Sequence, residues 1–154
     1  MRTILSLFVV TSLITSTIAT GQAAIPIDSQ IIAYKPVGET NEALILKRYG
    51  PSGQEEGTAL PCALFFFGGG WNGGNIGHFE PQARHLAERG MVAICAQYRT
   101  RNSHEVPPNV CLMDAKSAVR YVRENAEDLG IDPHRLAVGG GSAGGHLAAA
   151  TTFC

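Results

Sequence analysis

The stretch RLAVGGGSAGGHLAAA, residues 135–150, decides how the rest of the chain is read. A short apolar run meets a block of glycine, serine and alanine, and a second run of small residues follows. Such a block can cradle a phosphate, aim a nucleophilic serine, or let a helix pack closely on its neighbour. Gly140-Gly141-Ser142-Ala143-Gly144 matches G-x-S-x-G, in which the serine occupies a sharp strand-to-helix turn and lifts its hydroxyl above the sheet. The glycines suit a strained turn where a Cβ would collide with the neighbouring strand or helix. A helix opening at the serine offers free N–H groups and the positive end of its dipole. The N–H of Ala143 is thereby placed to donate to an oxyanion. Gly145, Ala148 and Ala149 let the helix lie tightly on the sheet.

The same letters satisfy a second pattern. Gly139, Gly141 and Gly144 fit G-x-G-x-x-G, the dinucleotide-binding turn, and so do Gly68, Gly70 and Gly73. In a dinucleotide fold the first strand lies near the start of the domain, whereas here the first match follows two strands. A P-loop is excluded, because no Gly-Lys-Ser/Thr occurs. The serine reading gains from FFFGGGWNGGN, residues 65–75. Acyl transfer through a tetrahedral intermediate needs fixed donors around the oxyanion, and a glycine-rich turn just past a strand supplies main-chain N–H groups that a substrate can approach. The bland alternative is a flexible turn with Trp71 packing locally.

Around these motifs the chain alternates strands and helices. Residues 31–35 and 43–49 read as short strands joined by the turn PVGET, and 50–57 as a polar loop. The unbroken apolar runs 62–67 and 91–98 suit strands buried on both faces, as in a parallel sheet. A helix spans 81–89 and stops at Gly90; a longer amphipathic helix spans 110–129 and stops at Gly130. Residues 99–108 form a loop, 135–138 a short strand, and a helix of small residues begins near Ser142. This order predicts an α/β architecture with a mostly parallel sheet, and functional groups at the carboxyl ends of its strands.

Bulk properties narrow the function classes. The net charge of −1 makes no electrostatic case for nucleic acid or an anionic membrane surface. Residues 1–23 carry Arg2, an apolar run and small residues with Gly21 and Ala23 at −3 and −1, the pattern of a secretory signal peptide. The run is too short for a spanning helix, so no membrane span is expected once it is removed. Residues 24–154 suffice for one domain. Cys62, Cys95, Cys111 and Cys154 lack zinc-site spacing. Export permits disulfides, but buried thiols are the expected state, since Cys62 and Cys95 border or lie within apolar runs.

With both motifs placed, the chain resembles the amino-terminal portion of an α/β-hydrolase. It is most similar to carboxylesterases of the hormone-sensitive-lipase type and to exported feruloyl- and acetylxylan-esterases. The resemblance rests on FFFGGGWNGG and on DAKSAVRYVRENAEDLGIDPHRLAVGGGSAGGHLAA, in that order. It implies that Ser142 is the nucleophile, that N–H groups of Gly68, Gly69 or Gly70 join Ala143 in the oxyanion hole, and that Trp71 lines the acyl or alcohol pocket. It gives Asp114 a structural role, holding its helix and nearby loops by hydrogen bonds. Two departures stand out: Phe67 replaces the histidine of the family's His-Gly-Gly, and Gly141 precedes the serine where many relatives carry Asp.

In this fold the acid and the histidine follow the serine. After Ser142 the sequence carries no Asp or Glu and one histidine, His146, which one turn along the helix suits a structural hydrogen bond. His78, His85 and His104 precede the serine and match no triad position, although His78 and His104 fall in loops where they can touch substrate. The expectation is a fragment of a longer secreted or periplasmic serine esterase, without metal or organic cofactor, acting on a small-molecule or carbohydrate-linked ester. The rivals are a non-catalytic α/β module or truncated pseudoenzyme, and an exported serine peptidase. Acyl length, disulfide state and oligomeric state are not legible in these residues.

Overall fold

The computed structural model describes residues 23–153. The expected leader and Cys154 lie outside the described residues, apart from Ala23 at the expected cleavage point. The elements run β1 (Ile27–Pro36), β2 (Ala43–Pro51), β3 (Leu60–Phe66), α1 (Glu80–Ala87), β4 (Val92–Ala96), α2 (Arg101–His104), α3 (Pro108–Glu124), β5 (Ile131–Gly140) and α4 (Ala143–Phe153). A 3-10 turn, Ile76–Phe79, precedes α1.

The strands form one sheet in the order β1-β2-β4-β3-β5. β1 pairs with β2, and β2 with β4, in antiparallel fashion. β4, β3 and β5 run parallel, as the apolar runs anticipated, and these are the strands that carry the site. Every residue of β4 is buried, which fits its position in the middle of the sheet. The antiparallel hairpin of β1 and β2 extends the sheet on the side away from the serine.

Helices cover both faces. α1 sets Ala83 and Ala87 against Tyr49, Ala93 and Cys95 on one side. On the other, Ala115, Ala118, Val122 and Leu147 from α3 and α4 pack with Leu44, Leu64, Phe66 and Ile94. Small helix residues let the backbone approach the sheet closely, and the larger strand residues fill the space between.

Several boundaries move for identifiable reasons. α3 starts at Pro108 rather than residue 110, because proline is tolerated in a first turn where the N–H has no intrahelical partner. It ends at Glu124 rather than 129; beyond it Asn125 turns its side chain back to donate to the Tyr121 carbonyl at 2.8 Å. Ala126 and Leu129 stay buried in the turn that follows, so their apolar spacing imitated more helix. The loop 99–108 contains α2, opened by Thr100, whose side chain accepts from the Ser103 N–H while Ser103 Oγ accepts from the Thr100 N–H.

Candidate active site

β5 delivers the chain to Ser142, and α4 begins one residue later at Ala143. Ser142 is exposed and has φ of 53°, a left-handed conformation that costs a residue with a Cβ on the order of 1 kcal/mol or more. Packing on either side enforces it. A Cβ on Gly144 would strike the carbonyl oxygens of Phe66 and Phe67 at the end of β3. A Cβ on Gly140 would lie 2.6 Å from the Phe66 oxygen and as close to the Gly144 carbonyl. The glycines of G-x-S-x-G are therefore the places where strand and helix backbones nearly touch. Gly144 N–H closes the turn onto the Gly141 oxygen at 2.9 Å, and His146 N–H bonds the Ser142 carbonyl at 3.0 Å. As the first residue of α4, Ala143 holds one of the N–H groups that a helix leaves without an intrahelical acceptor.

The second glycine motif lies beside this turn. A Cβ on Gly68 would stand 2.8 Å from the Gly141 oxygen and 3.5 Å from Ser142 Cβ. Gly69, Gly70 and Trp71 follow with φ of 145°, 61° and 61°, so the loop reverses sharply after β3. Asn72 N–H and Gly73 N–H both donate to the Gly69 oxygen, at 3.1 and 3.3 Å. The loop is anchored from below by Tyr98, whose hydroxyl donates to the Phe67 carbonyl at 2.7 Å and whose ring stacks on Phe67 at 4.1 Å. It is anchored from the side by α2: the N–H groups of Arg101 and Asn102 donate to the carbonyls of Trp71 and Asn72, at 3.0 and 2.8 Å.

The structure thus brings Ser142, Ala143 and Gly68 together, with Gly69, Gly70 and Trp71 continuing the same loop. Gly68 differs from its two neighbours, because its N–H is directed to His78 Nδ1 at 3.4 Å. Trp71, with Gly70 and residues of the α2–α3 connection, lines an open cleft of about 380 Å³. Its indole N–H is buried and has no acceptor among the described residues.

The histidines separate by surroundings. His146 was expected to hydrogen-bond; its ring instead meets the Trp71 indole edge-on, with centroids 5.6 Å apart. His104 joins Glu42 at 3.0 Å and Ser103 at 2.7 Å, tying α2 to the turn between β1 and β2. His85 contacts Arg89 on the far face of α1. Among the described residues no group of three or more His, Cys, Asp or Glu side chains could hold a metal ion.

Asp114 sits fully buried at the head of a network the sequence showed only in part. Arg99 donates to it through its main-chain N–H at 3.1 Å and through Nε and a terminal guanidinium nitrogen at 2.8 Å each. Lys35 Nζ of β1 adds a contact of 2.6 Å. Burial alone would raise the Asp114 pKa, but hydrogen bonds from Arg99 and Lys35 outweigh it and hold the carboxyl below the usual range. Arg99 directly precedes Thr100 and α2, so the network fixes the helix that braces the glycine loop. Asp114 was legible as a structural residue; Arg99 and Lys35 were not. Lys35 lies 79 residues away on a strand whose pairing no local pattern reveals.

Known proteins resemble this chain over most of its described residues. The BD-FAE family profile matches residues 46–153. An AB hydrolase superfamily protein of Schizosaccharomyces pombe is 39% identical over 127 residues, covering 74% of this chain and 37% of its own length. Carboxylesterase NlhH of Mycobacterium tuberculosis is 38% identical over 91 residues, 58% of this chain and 28% of that protein. Among solved structures, esterase Est2 of Thermogutta terrifontis superposes with a TM-score of 0.75 at 45% identity, covering 79% of this chain and 42% of that one. The same esterase phosphorylated by paraoxon superposes with a TM-score of 0.74 at 44% identity, covering 79% of this chain and 46% of that one. The chain therefore spans about a third of the length of these curated relatives and somewhat under half of the solved structure.

Proposed function

The chain belongs to the BD-FAE family, among the α/β-hydrolase carboxylesterases, and from this we propose that the protein hydrolyses carboxylic esters with Ser142 as nucleophile. One observation carries the reading: Ser142 is held at φ of 53° between a parallel strand and a helix N-terminus, beside a loop of consecutive glycines.

The Ser142 oxygen attacks the ester carbonyl and gives its proton to a general base. The carbonyl oxygen takes up negative charge and is received by the N–H groups of Ala143, Gly69 and Gly70, since Gly68 already has an acceptor. The intermediate then expels the alcohol, which leaves with the proton, and water releases the acid from Ser142 by the same steps in reverse order. Helix-end dipole and main-chain donors favour the oxyanion, and strand, helix and α2 position them ahead of the substrate. Trp71 lines the substrate cleft. The histidine and acid that would activate the serine follow it in this fold, within the length that the relatives have and this chain does not span.

The paraoxon adduct of the Thermogutta terrifontis esterase supports a hydroxyl nucleophile of this kind, since organophosphates capture activated hydroxyl groups. Residues 1–23 serve as a leader that sends residues 24–154 to the periplasm or outside the cell, where an ester on a small molecule or a carbohydrate is the substrate. Hydrolysis of short-chain p-nitrophenyl esters tests the activity. Ser142→Ala is expected to lower kcat by roughly 10⁴-fold or more. In a protein that also carries the histidine and acid, a folded state without hydrolysis, or a rate that survives Ser142→Ala, would overturn the reading.

A further inference from the structure

We propose that His78, in its neutral form, is a positioning residue that holds the glycine loop in its oxyanion-receiving shape by accepting the Gly68 N–H, and that protonation of His78 releases the loop. The proposal rests on the esterase reading for its catalytic consequence, though not for the interaction itself.

The sequence leaves a position open for such a residue. Phe67, directly before the glycines, is buried and stacked on Tyr98, so it offers the loop no polar side chain. His78 reaches the loop from the other side. It sits in the 3-10 turn after the glycines, where the Asn75 side chain accepts the Gly77 N–H at 2.7 Å and sets the turn. Its ring stacks on Phe79 at 4.9 Å, nearly parallel, and Phe79 stacks in turn on Phe65 of β3 at 5.2 Å. Phe79 also borders the elbow, because a Cβ on Gly141 would lie 3.3 Å from its ring. One aromatic stack thus touches both halves of the site, and it presents His78 Nδ1 to Gly68 N–H at 3.4 Å.

Protonation state decides whether this contact holds. Nδ1 accepts only while it carries a lone pair, which in neutral imidazole places the proton on Nε2. When both nitrogens are protonated, Gly68 N–H faces another donor and the contact becomes repulsive. The contact therefore exists while His78 is neutral and is lost when its ring takes a second proton. His78 is exposed and opens on a cleft shared with Lys47 of β2 and Glu80 of α1, so both protons and buffer reach it. Glu80 is paired with Arg84 at 2.8 Å, and Lys47 is the second charged residue lining that cleft.

The test is a pH titration of ¹⁵N-labelled protein from pH 5 to 8, following the Gly68 amide and the His78 ring nitrogens by NMR. The proposal expects the Nε2–H tautomer at high pH and one shared midpoint for the Gly68 amide and the His78 ring. His78→Gln keeps an acceptor that does not titrate, so its Gly68 amide should become independent of pH. An Nδ1–H tautomer, or a Gly68 amide that ignores His78, overturns the proposal. The catalytic consequence is read as the rate of fluorophosphonate labelling, wild type relative to His78→Gln. That ratio cancels titration of the general base and should fall about tenfold from pH 8 to 5, less than the roughly 100-fold cost of a 1 Å misplacement. A flat ratio with measurable labelling overturns the positioning role. Absence of labelling in both proteins, each carrying the histidine and acid that follow Ser142, refutes the esterase reading instead, and leaves the Gly68–His78 contact to be decided by the NMR titration alone.

Discussion

Gly144 of the first turn of α4 lies against the Phe66 carbonyl so closely that no Cβ fits between them. The contact joins the serine turn to the strand that feeds the glycine loop, and both neighbours are main chain, which cannot swing aside. Gly144→Ala is therefore expected to destabilise the protein by roughly 3 kcal/mol, at the upper end of the usual cost of overpacking. Gly145, whose Cβ would stand 3.2 Å from the Gly140 oxygen, should tolerate alanine with a smaller loss. Paired urea denaturation curves check both; equal midpoints for the two variants would contradict the close-approach account.

Asp114 should be the most sensitive charged residue of the fold. It is fully buried and faces Arg99 and Lys35, whose side chains remain 21% and 25% exposed. Asp114→Asn leaves two cations facing a neutral amide, and their partial exposure moderates the penalty to roughly 3 kcal/mol. Lys35→Met, which removes the outer cation alone, should cost markedly less. Thermal unfolding is expected to show a drop of roughly 10 °C for Asp114→Asn. The same variant should also weaken the proposed esterase activity, since Arg99 leads directly into α2 and so to the carbonyls of Trp71 and Asn72.

Acid should act on the same group. The Asp114 carboxyl titrates lower in the folded protein than in the unfolded chain, so its contribution is complete above the usual aspartate range near pH 4. That contribution then fades as pH falls through the lower, folded-state value. Stability measured between about pH 5 and 2 should decline in the wild type and decline less in Asp114→Asn. Parallel curves for the two proteins would show that the network does not govern acid sensitivity.

The buried thiols should be inert. Burial pushes the pKa of Cys62 and of Cys95 up to about 12, and both are free among the described residues. The thiolate is the reactive form, so iodoacetamide at pH 8 should leave both unmodified in the native protein and label them on unfolding. Peptide mass spectrometry distinguishes the cases. Rapid native labelling of either residue would place it at a surface the fold does not have.

The parts of the molecule legible in its sequence are those encoded by consecutive residues. Gly140 to Gly144 and Phe65 to Asn75 spell out turns whose glycines answer to contacts within a few residues or with the next strand. The apolar run through Val92–Ala96 likewise announces a strand covered on both faces. What escaped depends on distant partners. Nothing in residues 43–51 says that β2 lies antiparallel to β4 rather than beside β3. α2 was hidden because its cap pairs Thr100 with Ser103, where the usual capping signature has Glu or Gln. His78 read as a surface histidine with a chance of touching substrate, and only the folding of the loop turns its Nδ1 toward Gly68.

The central claim, that Ser142 is the nucleophile, is tested most directly by treating the folded protein with a fluorophosphonate and mapping the adduct by peptide mass spectrometry. The account predicts one adduct, on Ser142, and none in Ser142→Ala. An adduct on another residue, or no phosphonate uptake by a folded protein that also carries the histidine and acid, would contradict it.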